Sequence, residues 1–279
     1  MRNKNPIFAR MDQQTAGSSG FAYQEGLSAY QQAGQQPYQA PAPTGYPTGT
    51  PTGSVYEPIT DRMTLDDVVV RAGISIAVLI PFALIGWFTA PTMPWLYLGA
   101  MFVGMGLAFA TIFKKQVSPP LILAYAALMG IGLGGISMMY QAQWDGIVQQ
   151  AVLGTFSVFA VALIAYRTGR IRVTPKFQRM VIIGMFGYIA FSLLNLVLSL
   201  FGVGDGWGLR NGWVGIAVGL VAVALAAFSL VLDFDFIDKS VQAGVPSRYA
   251  WTAAFGLVVT LVWLYLELLR LLAILQGND

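Results

Sequence analysis

Residues 180–201 read MVIIGMFGYIAFSLLNLVLSLF, a run without a single charged side chain. At a rise of about 1.5 Å per residue, about 20 residues of helix cross the hydrocarbon of a bilayer. Lipid offers no partner to a backbone N–H or C=O, so such a run is a helix and not a strand. Six more apolar runs flank it: Val68–Phe88, Trp95–Phe113, Leu121–Tyr140, Ile147–Tyr166, Trp213–Phe234 and Tyr249–Leu275. Pro- and Gly-containing breaks separate them at 90–94, 118–120, 143–146 and 202–212. Composition agrees, since 56% of the 279 residues are apolar and 10% are charged. A soluble domain carries about 25% charged residues, and so few cannot clothe a globule of this size. The expected class is all-α, a polytopic membrane protein built as a seven-transmembrane-helix bundle.

Lys and Arg set the expected orientation, because short cytoplasmic loops hold the excess of basic residues. Lys114 and Lys115 lie between spans two and three, and Lys239 and Arg248 between six and seven. Arg167, Arg170, Arg172, Lys176 and Arg179 lie between four and five. The alternate loops hold Arg210 alone. The expectation is a multi-pass protein of the plasma membrane with its N-terminus cytoplasmic and its C-terminus outside. Trp87, Trp95, Trp144, Trp207 and Trp213 all fall near the outer ends, as an interfacial belt does.

Residues 1–57 contrast with all this. They are rich in Gln, Gly, Pro, Ala and Tyr, and repeat Pro-Thr-Gly at 43–45, 47–49 and 51–53. Such a segment buries too little apolar surface to offset its ordering entropy. It reads as a disordered cytoplasmic tail on a membrane domain at 58–279, either a tether or a docking segment acting through its Tyr and Thr residues. No apolar core precedes Val68, so it does not read as a secretory signal.

The chain has no Cys and no His. Disulfides, thiolate catalysis, iron–sulfur clusters and imidazole acid–base work are removed, and no metal site or resident cofactor is expected. The net charge of +3 lies in loops between spans and not on one folded face, which speaks against nucleic acid. The expected partner is the lipid bilayer. No phosphate-binding glycine loop or Ser/His/Asp set is present, so an enzyme is not expected. Gly130-x-x-x-Gly134 and Gly215-x-x-x-Gly219 allow close helix approach, and Pro81 is expected to kink the first span.

Function then turns on ionisable residues near or inside the spans. Asp67 and Arg71 are one helical turn apart at the start of the first span. They form either an interfacial pair or a pair whose arginine reaches inward as counter-ion to another span's carboxylate. Asp233, Asp235 and Asp238 end the sixth span. Asp233 and Asp235 point about 160° apart on a helix, so they do not share one cavity. Glu267 lies about 28 Å along the seventh helix from Arg248, in the outer half of the membrane, with Arg270 within reach. That pair is either interfacial or lines a water-filled route.

The seven spans, the basic loop after the fourth, the aspartate late in the sixth and the terminal run LYLELLRLL (264–272) resemble the transmembrane Bax inhibitor motif family. Within it the chain is similar to bacterial Bax inhibitor-1/YccA-type proteins, and its opening MRNKNPIFAR and polar tail to their actinobacterial branch. The resemblance covers residues 60–275. It implies a bundle with the last helix central, a pH-sensitive calcium leak and a part in stress survival. It also implies that an aspartate of the sixth span and one of the seventh share a protonation site, often with an arginine beside them. Asp233 matches the first. For the second, an ungapped match of LLRLL places Thr260, whereas matching LYLE places Glu267, about 10 Å further out. Depth favours Thr260, which breaks the carboxylate pair. Two functions follow: a cation leak, of Ca²⁺, tuned by Asp233 with Asp235 and Glu267 as secondary polar groups; or a non-conducting regulator binding other membrane proteins, such as a quality-control protease. A transporter is disfavoured, since no internal repeat is visible.

Overall fold

The computed structural model describes residues 61–114, 116–202, 209–210 and 212–277. The tail at 1–57, Lys115 and Trp207 lie outside the described residues. The helices are α1 (Leu65–Thr89), α2 (Pro94–Phe113), α3 (Pro119–Gln141), α4 (Ile147–Arg167), α5 (Pro175–Leu200), α6 (Gly212–Gln242) and α7 (Ala250–Gln276). A single 3₁₀ turn, Ser247–Tyr249, leads into α7. All seven helices are long and apolar enough to cross a membrane, and no strand occurs among the described residues.

Local chemistry sets where the helices begin. Thr64 and Asp67 form a reciprocal capping box at α1, which satisfies two donors that the first turn leaves free. Proline opens α2, α3 and α5, where its missing N–H costs nothing and its φ is already helical. Thr174 accepts from the Phe177 N–H ahead of α5. Pro81 lies inside α1, which runs through it as one helix.

Two boundaries differ from the sequence expectation. Helix α5 begins at Pro175 and takes Lys176 and Arg179 into its first turns. Helix α6 runs on to Gln242, eight residues past Phe234. Apolarity ends where the hydrocarbon ends, but the backbone ladder does not, and polar side chains extend a helix through the interface. Lys239 Nζ reaches Asp235 at 2.6 Å and Gln242 donates to Asp238 at 3.0 Å, each one turn apart. Asp233, Asp235 and Asp238 therefore all sit on helix.

Helix α7 is the axis of the bundle, packing against α1, α3, α4 and α6. It buries Ala253, Ala254, Leu257, Val258, Leu264 and Leu269 among others. Helix α5 is its opposite, with Val181 its one buried residue. The glycine pairs do what their spacing predicts. A Cβ on Gly130 or Gly134 would run into the backbone carbonyls of Leu79 and Ala83 on α1, and one on Gly219 would meet Leu271 on α7. Gly86 of α1 returns the contact against the Ile131 carbonyl. Trp87, Trp95 and Trp213 lie at the ends of their helices away from the basic loops, and Trp144 in the turn between α3 and α4.

At the basic end, the residues ahead of α1 pair with the α6–α7 connection. The Met63 N–H donates to the Val245 carbonyl at 2.8 Å, and the Ser247 N–H to the Asp61 carbonyl at 2.8 Å. Arg62 and Pro246 form an isolated antiparallel bridge.

Candidate functional site

The structure sorts the candidate residues into three places. The first lies between α6 and α7, where the Thr260 hydroxyl donates to Asp233 Oδ2 at 2.7 Å. On an i, i+4 face of α7 one turn before Thr260, Gly256 lies beside the same carboxylate: a Cβ there would stand in ordinary contact, 3.5 Å from Asp233 Oδ1. Asp233 is partly buried and Thr260 buried. Phe234, Ala253 and Leu257, from the same stretches of α6 and α7, belong to one buried apolar cluster. A hydroxyl donating to a carboxylate is charge-assisted and stronger than a neutral pair, so this bond ties α6 to the central helix.

Asp235 looks elsewhere, to Lys239 on its own helix. Asp238 accepts from the Tyr166 hydroxyl of α4 at 3.3 Å. The angular argument from sequence thus describes the geometry: the neighbouring acids take different partners on different sides of α6.

The second place is the start of α1. Arg71 Nη1 donates to the Ser247 carbonyl, Nη2 lies 3.5 Å from Asp67 Oδ1, and the guanidinium stands 5.9 Å from the Trp251 ring centroid. Ser75, buried, donates to the Arg71 carbonyl at 2.9 Å. The expectation that Arg71 reaches an intramembrane carboxylate is corrected here. It spans from α1 to the turn before α7 and stays with Asp67, its donors taken up by the Ser247 carbonyl and the Asp67 carboxylate.

The third place is toward the other end of α7. Glu267, 5% exposed, pairs with Arg270, accepts from the Tyr188 hydroxyl of α5 and from Trp263 Nε1 at 3.3 Å. Arg270 Nη2 also donates to the Tyr188 oxygen at 2.9 Å. Arg210, 6% exposed, donates to Ser192 at 2.6 Å and lies 5.1 Å and 5.2 Å from the Tyr188 and Phe191 ring centroids. Its Nε has no hydrogen-bond partner among the described residues. Arg270 is therefore counter-ion to Glu267 and not to Asp233. Three ion pairs occur among the described residues, and Asp233 is in none of them.

Thr260 faces Asp233, and Glu267 lies two turns further along with its own arginine. The facing pair at the α6–α7 interface is a carboxylate and a hydroxyl. Thr260, Trp263, Glu267 and Arg270 recur at spacings of three and four residues and form one polar stripe along α7.

Sequence reasoning did not single out Tyr188, Ser192, Trp263 or Gly256. Tyr188 and Ser192 share a face of α5 as polar residues in the charge-free run 180–201, the one local signal by which they are found. No cluster of three or more metal-ligating side chains occurs among the described residues.

A family model described as Bax inhibitor 1 like matches residues 5–277. No curated protein matches the chain.

Proposed function

The chain belongs to the Bax inhibitor 1 like family, and from that premise we propose that it is a membrane leak pathway for cations, Ca²⁺ foremost, gated by the charge on Asp233. The observation that carries this reading is the bond from the Thr260 hydroxyl to the Asp233 carboxylate across the α6–α7 interface. A carboxylate inside an apolar bundle is costly to keep and persists where it serves a path or a gate. Ionised, Asp233 accepts from Thr260 and holds α6 against the central helix. Protonation removes the charge that strengthens this bond, and α6 is freed to shift. The polar stripe on α7 supplies the continuation toward Glu267 and Arg270. With no histidine in the chain, a response near neutral pH falls to carboxylates of this kind. In this reading the basic loops face the cytoplasm, the membrane is a bacterial plasma membrane, and no chemistry is catalysed. The test is Ca²⁺ flux in proteoliposomes. The wild type leaks faster than empty vesicles and Asp233→Asn changes both rate and pH response; equal rates in all three preparations would overturn the proposal.

A second reading has its own support. Arg167, Arg170, Arg172, Lys176 and Arg179 are all exposed, no acidic residue lies between them, and none joins an ion pair among the described residues. Such a stretch suits an acidic partner protein, which is the surface a non-conducting stress regulator needs. Charge reversal of Arg170 and Arg172 that leaves flux intact while abolishing a cellular phenotype would favour it.

A further inference from the structure

Ser247 is a node at the basic end of the bundle. Its N–H donates to the Asp61 carbonyl at 2.8 Å, its hydroxyl to Asp61 Oδ2 at 2.5 Å, and its own carbonyl accepts from Arg71. One serine thus ties together the segment ahead of α1, helix α1 itself and the turn that starts α7. The neighbouring Met63 is fixed by its N–H to Val245 and is 2% exposed. Arg62 lies along Gly244, where a Cβ would stand 3.4 Å from Arg62 Cδ. The capping box of Thr64 and Asp67 follows directly.

Met63 does not sit on the surface. It belongs to the packed cluster that contains Phe234 and Ile237 of α6 and Ala250, Ala253 and Leu257 of α7. Ala253 and Thr260 are seven residues apart on one face of α7, about 10 Å along the axis. The methionine is thus buried at the basic end, in the same apolar cluster as Phe234, the residue next to Asp233, and Ala253, two turns before Thr260.

We propose that residues 61–64 form a strap that closes the basic-end access to Asp233, with Met63 as the plug and the Asp61–Ser247–Arg71 bonds as its clasp. The apolar plug keeps water and ions from the pair while the clasp holds. Three hydrogen bonds anchor it, the two backbone bonds that flank the Arg62–Pro246 bridge and the Ser247 hydroxyl to Asp61, so it opens locally without unfolding the helices, as short terminal segments do. The chain enters the membrane domain through this strap, directly after its tail.

The inference rests on the proposed role of Asp233, and its test does not depend on ion flux. The native chain has no cysteine, so single reporters are clean. Gly256→Cys places a thiol beside Asp233, and Met63→Cys reports on the plug. Each is made in the full chain, reconstituted in vesicles, with the strap intact and with Asp61→Asn and Ser247→Ala together. A small membrane-impermeant methanethiosulfonate is added on the basic-loop side and the labelling rate read by mass. Releasing the clasp raises labelling of both reporters by about tenfold or more. Labelling that rises at Met63→Cys and not at Gly256→Cys overturns the strap as the closure. No rise at either overturns the clasp. A rise at both without ion flux in any variant keeps the strap and removes the leak.

Discussion

Glu267→Gln is the perturbation whose size the structure states most clearly. Glu267 is buried and holds Arg270, Tyr188 and Trp263 at once. The glutamine keeps the volume and removes the charge, leaving Arg270 with neutral acceptors, the amide oxygen and the Tyr188 hydroxyl, in place of a carboxylate. Removing one member of a buried ion pair costs about 3–5 kcal/mol, most of it the uncompensated charge left behind. A domain of this size loses about 2–4 °C of Tm per kcal/mol, so the expected drop is about 6–20 °C. The effect is enlarged by the place of α5, which buries only Val181 and reaches the central helix through Tyr188. The assay is thermal unfolding in detergent of Glu267→Gln, Arg270→Met and the double variant. Each single variant falls by the amount above. The double variant recovers much of the loss, because no unpaired charge remains. Additive losses, or a single-variant drop under about 2 °C, would refute the reasoning that this is a buried, mutually compensating pair.

Three further outcomes follow from the same geometry. Thr260→Val removes the donor to Asp233 and costs about 1.5–3 kcal/mol, the worth of a hydrogen bond to a charged group, read as a lower Tm together with an altered pH profile of flux. Gly134→Val forces a side chain into the Ala83 carbonyl and costs about 1–3 kcal/mol or more, seen as loss of monodisperse protein, whereas Gly106→Val, with nothing within 4 Å of its Cβ position, behaves as wild type. Single cysteines at Arg170 and Arg248 react with an impermeant reagent only from the cytoplasmic side, and one at Trp95 only from outside.

The membrane class and the seven spans are legible because lipid imposes one rule along the whole chain: each crossing needs about 20 apolar residues, and lapses fall between crossings. The ends of α5 and α6 are less legible, since hydropathy stops at the hydrocarbon while Thr174, Pro175 and the Asp235–Lys239 pair carry helix beyond it. Asp233 stands out as an acid late in an apolar run, and counting 1.5 Å steps already sets Thr260 and not Glu267 at its depth. What the sequence withholds is contact between helices far apart in the chain. Tyr188 meets Glu267 across 79 positions and Arg71 meets Ser247 across 176, and no local period announces either. Arg71 and Arg270 were legible as cations near acids, but their partners depend on which helices the bundle sets side by side.

In the proposed function Asp233, the acid facing Thr260, and not Asp235, the acid facing Lys239, answers to protons. The direct measurement is Ca²⁺ efflux from proteoliposomes across acid to neutral pH for the wild type, Asp233→Asn and Asp235→Asn. Efflux is expected to lose its pH dependence in Asp233→Asn and to keep it in Asp235→Asn. A pH dependence that survives in Asp233→Asn unchanged would contradict it.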